Sequence, residues 1–124
     1  MTSTPEQRRQ VARGSAGSLL ATLLALLWAR LWRARVRYDA PTRLLVASGM
    51  RGGFGRGGTT IGGVFLTRRD PGPALLRHEA VHADQWARHG LTFPVRYGLE
   101  ELRHRGSRNR FEVEAGLEDG GYER

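Results

Sequence analysis

Apolar residues are concentrated in one long run near the start of the chain and in shorter runs later. From Gly14 to Ala29 no residue is charged, and leucines surround nearly the whole helix that this run predicts. At ~1.5 Å per residue the helix covers roughly 24 Å, which is short of the ~30 Å hydrocarbon core of a bilayer. This helix has three possible interpretations: a membrane anchor, a signal peptide or a buried core helix. Flanking arginines and the Trp28/Trp32 pair favour the anchor, inserted or lying in the interface.

Before this run, residues 1–13 are polar and basic, and little order is expected at their start. After it, short runs rich in β-branched and aromatic residues predict strands of a small antiparallel sheet. The predicted strands are Val36–Tyr38, Leu44–Ala47 and Thr59–Thr67.

A glycine-rich stretch precedes the last predicted strand. It matches G-x-G-x-x-G at Gly53, Gly55 and Gly58, but a strand rather than a helix follows, so the geometry that cradles a phosphate is missing. One RGG-like copy is weak evidence for RNA binding, and a flexible hairpin loop explains the same glycines.

Helical periodicity dominates after residue 70. Asp70 is a candidate N-cap for the first of three predicted helices, and Val95, Leu99 and Leu102 form an i, i+4, i+7 core stripe on the second. The predicted bounds are Pro73 to Gly90, Thr92–Pro94 to His104, and Asn109 to Leu117.

Composition narrows the chemistry. A chain of 124 residues is long enough for one hydrophobic core, and the absence of cysteine excludes disulfides, thiolate metal sites and a cysteine nucleophile. The net charge of +8 comes from arginine alone, and residues 1–57 hold ten arginines against two acidic residues. Such a basic half is typical of proteins that bind an anionic membrane or nucleic acid, or simply of an arginine-rich proteome.

The first of the three helices contains H-E-x-x-H, formed by His78, Glu79 and His82. Residues four apart lie on one face of a helix, so the two imidazoles can bind one metal ion. Glu79 lies on the flank of that face, where its carboxylate could take a proton from a water on the metal. A polar helix face without a metal is the simpler alternative.

A catalytic zinc site needs a third protein ligand. The extended pattern H-E-x-x-H-x-x-G-x-x-H fails, because Gln85 and Arg88 stand at its glycine and last histidine. His89 lies roughly 10 Å beyond His82 along a continuing helix, so it is not expected at the site. Gln85 shares the helix face of the two histidines, as a contact to them or as an ordinary surface residue.

Glu112, on the last predicted helix, is the preferred third ligand, and Glu114 is a lesser alternative. The turn and helix between His82 and Glu112 make a return to the metal geometrically reasonable. Asn109 and Glu112 also have the spacing of a capping box, in which the carboxylate would close the helix N-terminus instead.

At these residues the chain resembles the glutamate-zincins, which carry H-E-x-x-H on one helix and a metal-binding glutamate on a later one. Residues 107–116 are similar to the S-R-x-R-E-x-x-A-D segment of the CAAX-prenyl-protease and heat-shock-protease group. Residues 75–122 resemble small bacterial zincin-like proteins of unknown function. The sequence features shared with them are H-E-x-x-H-x-x-Q, G-x-x-x-F and a terminal N-x-x-E-x-E-A.

The resemblance implies an α+β, minimal zincin-like domain over residues 36–124, after a basic and apolar segment over residues 1–35. It implies Zn2+ bound by His78, His82 and Glu112, Glu79 as general base, and Thr59–Thr67 as the edge strand along which a peptide or protein substrate would pair. Gly116 departs from the group, which has an aspartate supporting the site there.

The leading hypothesis is therefore a zinc metallopeptidase-like hydrolase. The alternative is a non-catalytic, membrane-associated binding or regulatory protein on a zincin scaffold, attached through residues 14–33. The protein is expected to be cytoplasmic or membrane-associated, and nucleic acid is not an expected partner. No residue identifies itself as the oxyanion donor. The candidates are Tyr97, His104, Arg108 and Tyr122.

Overall fold

A mixed four-stranded sheet carries helices from both ends of the chain in the computed structural model, which describes residues 3–55, 57–116 and 119. The α+β class expected from the sequence is confirmed. The strands are β1 (Arg35–Asp39), β2 (Leu44–Ser48), β3 (Gly58–Ile61) and β4 (Val64–Thr67). The helices are α1 (Pro5–Ala12), α2 (Ala16–Leu31), α3 (Pro73–His89), α4 (Phe93–Arg103) and α5 (Arg110–Ala115).

The strand order is β1-β2-β4-β3, and the expectation of an antiparallel sheet is wrong at its centre. β1 and β2 form an antiparallel hairpin, as do β3 and β4, but β2 and β4 run parallel. The strand that follows β2 in the chain, β3, lies at the edge of the sheet, and β4 returns to the position next to β2. The two central strands are buried along nearly their whole length, as parallel pairs usually are.

The segment Thr59–Thr67 is a hairpin rather than the single strand expected. The chain reverses at Gly62 and Gly63, where Gly62 has a φ of +60° that side chains other than glycine rarely adopt. The N–H of Gly63 donates to Thr22 Oγ1 at 3.0 Å, which fastens the turn to α2.

A helix that the sequence did not predict, α1, forms within residues 1–13; the start itself, residues 1–2, lies outside the described residues. α1 begins with a capping box, in which Thr4 and Gln7 exchange side-chain to backbone hydrogen bonds. Beyond its end Arg13, whose side chain is only 7% exposed, binds Asp84 of α3 at 2.6 Å and donates to the carbonyl of Thr42 at 2.6 Å. Arg13 therefore ties α1 to both α3 and the turn between β1 and β2.

α2 packs on the sheet through its small side chains, and its leucines largely face outward. Leu24 and Leu27 are each 57% exposed, whereas Ala25 and Ala29 are buried in one core with Leu45. Within the described residues, no helix has both the length and the apolar character needed to cross a membrane. The buried residues of α2 are Ser18, Ala21, Thr22, Ala25 and Ala29.

α3 and α4 begin and end close to the predicted residues, but two expectations about them are wrong. The N-cap of α3 is Gly72, without a side-chain cap, because Pro71 and Gly72 separate Asp70 from the helix and Asp70 binds Arg37 instead. The predicted core stripe of α4 is exposed, because this helix turns Phe93 and Tyr97 inward toward the ring of Phe111. The exposed stripe residues are Val95 at 64%, Leu99 at 52% and Leu102 at 76%.

Replacing Gly63 with alanine should destabilise the protein, because the added Cβ would lie 2.5 Å from the carbonyl oxygen of Val11. We expect the free energy of unfolding to fall by at least about 1–3 kcal/mol, measured by urea denaturation. Gly98→Ala is the matched control: nothing lies within 4 Å of that position, and the helical substitution should stabilise by about 0.5–1 kcal/mol. Equal stability of the two variants would contradict this packing of the hairpin.

Candidate metal centre

α3 presents His78 and His82 on its buried side. The two residues are four apart on the helix and are 3% and 7% exposed. The two imidazoles meet edge to face, and their Nε2 atoms lie 3.2 Å apart. The structure thus brings both predicted histidines to one point, as the H-E-x-x-H spacing requires.

α5 brings the carboxylate of Glu112 to the same point. Glu112 Oε1 lies 3.0 Å from His78 Nε2 and 2.9 Å from His82 Nε2, and the residue is 5% exposed. The competing capping role is excluded, because the backbone N–H of Asn109, which a capping carboxylate would accept, donates to the carbonyl of Gly106 at 3.0 Å. Asn109 Oδ1 itself accepts the backbone N–H of Phe111 at 2.9 Å. The Glu112 carboxylate therefore faces the two histidines instead.

Glu114, the lesser alternative ligand, faces a different pair of residues. Its Oε1 accepts from Gln85 Nε2 at 2.9 Å, and its Oε2 lies 3.6 Å from Arg88. Both contacts hold Glu114 on the outer side of α3, so it does not join the donor cluster.

Hydrogen bonds on the far side of each imidazole define its tautomer. His78 Nδ1 donates to the backbone carbonyl of Gly116 at 2.8 Å, and His82 Nδ1 donates to Gln85 Oε1 at 2.7 Å. The orientation of the Gln85 amide follows from its Nε2, which donates to the carbonyl of Phe111 at 2.9 Å. Both Nε2 lone pairs consequently point at the centre of the cluster, as metal-binding histidines require.

The support from Gly116 was missed in the sequence, where this residue stands in place of a supporting aspartate. Its backbone carbonyl reaches His78 because the residue adopts a φ of +96° at the end of α5. The only signal for it in the sequence is a glycine directly after a helix.

The charges of the cluster favour a cation between its donors. Burial lowers the pKa of His78 and of His82. The hydrogen bond that each protonated ring would donate to Glu112, together with smaller contributions from its other partners and the nearby carboxylates, outweighs burial, so each pKa is raised. Burial likewise opposes the charged form of Glu112, yet hydrogen bonds from protonated histidines would hold its pKa well below the usual range. The pocket is therefore built around a buried carboxylate that requires positive charge.

The donor separations fit a metal ion. A tetrahedral ion with bonds of ~2.0–2.1 Å would separate its donors by roughly 3.3–3.4 Å. The observed separations are 2.9, 3.0 and 3.2 Å, so slight expansion would admit an ion. The buried group of His78, Glu79 and His82 could likewise hold a metal ion.

Glu79 also lies close to the cluster. One donor atom each from His78, Glu79 and His82 fall within 4.8 Å of one another, so Glu79 could compete with Glu112 as a ligand. The closer approach of Glu112 to both Nε2 atoms favours Glu112. Glu79 instead accepts from Thr60 Oγ1 at 2.8 Å, and its burial raises its pKa, opposed by His82 and by the Thr60 hydrogen bond.

His78, His82, Glu112 and Glu79 line one side of a cleft of about 750 Å3, which lies between β3 and α4. Its walls are mostly apolar, with Ile61 and Phe65 from the sheet side and Phe93 and Pro94 from α4. Glu79 faces this cleft from α3, so a molecule bound there would lie next to its carboxylate.

β3 forms the edge of the sheet beside the cleft. The N–H of Leu45 donates to the carbonyl of Gly63, so this carbonyl faces β2. Because backbone groups alternate in direction along a strand, the pairing of β3 with β4 leaves the N–H and carbonyl groups of Gly58 and Thr60 facing away from β4. Two of these groups are already used: Trp86 Nε1 donates to the Thr60 carbonyl at 2.9 Å, and the Gly58 N–H donates to the carbonyl of Gly55 at 3.1 Å.

Among the candidate oxyanion donors that the structure describes, only Tyr97 lies near His78, His82 and Glu112. Its hydroxyl donates to Glu112 Oε2, and its ring lines the cleft. His104 and Arg108 are exposed and do not line the cleft. Tyr122 lies outside the described residues.

His89 stays outside the cluster, as the helix spacing predicts. Its ring stacks on Phe93 at 6.2 Å and meets Phe111 edge to face at 5.8 Å. Burial, together with the nearby positive charges of Arg96 and Arg88, lowers its pKa.

No family model, curated protein or solved structure matches the chain. The function of the site must therefore be argued from its donors, their hydrogen bonds and the cleft beside them.

Removing the Glu112 carboxylate should weaken metal binding. In Glu112→Ala two neutral donors remain of three, and we expect zinc affinity to fall by well over about tenfold, measured by competition with a chromophoric chelator. Glu114→Ala is the matched control, because it removes a carboxylate from the same helix and should leave zinc affinity within about twofold. Full retention of zinc by Glu112→Ala would eliminate Glu112 as a ligand.

Proposed function

We propose that this protein is a zinc-dependent metallopeptidase-like hydrolase with a minimal zincin-like architecture. His78, His82 and Glu112 hold the metal in this proposal, and Glu79 is the general base. The observation that carries it is the convergence of two imidazole lone pairs and a buried carboxylate next to a second carboxylate that faces a cleft.

Zinc is the metal best suited to these donors. Two imidazoles and one carboxylate, with no thiolate, match the His2Glu set that leaves one position open at catalytic zinc sites. Zinc bound there would lower the pKa of a water molecule and polarise a carbonyl oxygen. The hydrogen bonds of Gly116 and Gln85 keep both imidazoles aimed at it.

Glu79 supplies the proton transfers. As a carboxylate it takes a proton from the attacking water, and as a carboxylic acid it then gives that proton to the leaving amine. Its raised pKa, caused chiefly by burial, suits a group that must hold a proton transiently near neutral pH. The hydroxyl of Thr60 fixes the carboxylate that performs both transfers.

A peptide in extended form is the substrate that the cleft suits best. The outward backbone groups of β3 can pair with an extended chain, and the apolar walls can take its side chains. Because Trp86 already binds the Thr60 carbonyl and the Gly58 N–H donates to the Gly55 carbonyl, the pairing is restricted to the Thr60 N–H and the Gly58 carbonyl. A short contact of this kind selects for a strand conformation over few residues.

The short backbone pairing along β3 also favours a second candidate function, that of a scaffold which binds a metal ion and a peptide without hydrolysing the peptide. A membrane-associated regulatory protein would need the cleft and the metal but not the proton transfers of Glu79. The two candidates therefore differ at a single side chain.

Glu79→Gln separates the two candidates. The change removes the base and keeps the shape, so zinc content should match the wild type while hydrolysis of a fluorogenic peptide library falls by at least about a hundredfold. His89→Gln, on the same helix but outside the cluster, should retain both zinc and activity. Activity that survives in Glu79→Gln would refute catalysis by this site, and zinc-loaded wild type without any activity would favour the non-catalytic candidate.

A further inference from the structure

The orientation of α2 is the reverse of that expected for a core helix. The side chains that face the sheet are small, and the large apolar side chains face outward at helical spacing. The sheet side of α2 is fully packed, so only its outward face is available to a partner. We call this outward face the leucine face. It consists of Leu20 (46% exposed), Leu23 (45%), Leu24 (57%), Leu27 (57%), Trp28 (43%), Leu31 (69%) and Trp32 (38%).

The residues of the leucine face are spaced too regularly to be isolated exposed apolar side chains. Its members recur three and four residues apart over roughly 18 Å of helix, which makes one continuous stripe. A continuous exposed apolar stripe of this size marks an interaction surface on a soluble domain.

Positive charge surrounds the C-terminal end of the leucine face. Arg30 and Arg33 are exposed at the end of α2, and Arg51 joins Trp32 and Arg33 around a shallow depression. The indole of Trp28 donates to the carbonyl of Gly53 at 2.8 Å and leaves much of its ring outside. Tryptophan and arginine side chains together at the rim of an apolar stripe are typical of helices that lie in a membrane interface.

We propose that the leucine face docks on an anionic membrane surface, with α2 lying in the plane of the interface. The leucines would enter the boundary between headgroups and acyl chains, the indoles would lie at headgroup level, and the arginines would contact lipid phosphates.

Charge favours the membrane over a second copy of the chain. A parallel pair of α2 helices would place Arg30 and Arg33 against their own counterparts. An antiparallel pair would place them against the positive end of the partner helix dipole. Anionic phosphates instead complement all of these groups.

The test is sedimentation of the full chain with vesicles of phosphatidylcholine and phosphatidylglycerol, and with vesicles of phosphatidylcholine alone. The wild type should bind the anionic vesicles more tightly. Leu24→Ser/Leu27→Ser should lower the partition coefficient by at least about tenfold. Arg30→Gln/Arg51→Gln should lower it by about thirtyfold on anionic vesicles only, since each arginine contributes about fivefold.

Leu102→Ser is the matched control, because Leu102 is 76% exposed on α4 and lies outside the leucine face. It should bind vesicles like the wild type, and all variants should keep the wild-type melting temperature. Equal binding of both vesicle types, or equal losses in Leu102→Ser and Leu24→Ser/Leu27→Ser, would overturn the proposal. A wild-type dimer that ignores vesicles and becomes monomeric in Leu24→Ser/Leu27→Ser would assign the leucine face to a second copy instead.

Discussion

A buried carboxylate facing two imidazole nitrogens is the interaction on which the candidate site depends. Burial of an anion is costly unless it is paired, and Glu112 is 5% exposed. If both imidazoles are neutral, their Nδ1 hydrogens are used in the hydrogen bonds to Gly116 and Gln85. Only the lone pairs of their Nε2 atoms then face Glu112. Protonating both would place two imidazolium nitrogens 3.2 Å apart. One divalent cation among the three donors resolves the conflict, which is why we regard the cluster as a metal site.

The same hydrogen-bond network connects the donors to the edge of the sheet. Gln85, which is fully buried, joins His82 to the backbone of α5, so it links the two helices that carry the proposed ligands. On the other side of α3, Trp86 binds the carbonyl of Thr60 while the hydroxyl of Thr60 binds Glu79. One residue of the edge strand therefore holds the carboxylate that we propose as the general base, and the same strand lines the cleft. This arrangement would link proton transfer to the binding of an extended substrate.

Local periodicity predicts the parts of the fold and site that depend on neighbours in sequence. The spacing of His78 and His82 places both on one face of α3, and Gly90 ends that helix as predicted. In the sequence only a resemblance and a loop length point to Glu112. The structure excludes its competing capping role, because the Asn109 N–H donates to the carbonyl of Gly106. The supporting carbonyl of Gly116 carries no side-chain signal, so a sequence cannot reveal it.

Long-range packing explains the expectations that failed. The parallel pairing of β2 with β4 depends on where the chain goes after residue 48, which no local pattern encodes. In α2 and α4, apolar periodicity identifies a stripe but not which side of the helix the sheet will cover. Small residues such as Ala25 and Ala29 allow α2 to approach the sheet closely, so its leucines remain outside. The apolar run therefore reads as a core helix or an anchor from sequence, and the structure gives it a buried small face and an exposed leucine face.

The central claim is that His78, His82 and Glu112 share one metal ion, and zinc K-edge X-ray absorption of the zinc-loaded protein tests it most directly. We predict a four-coordinate site of nitrogen and oxygen donors at ~2.0–2.1 Å, with the outer-shell scattering of two imidazoles. His82→Ala should reduce that scattering to one imidazole. A six-coordinate spectrum without imidazole scattering, or a wild-type spectrum that His82→Ala leaves unchanged, would contradict the claim.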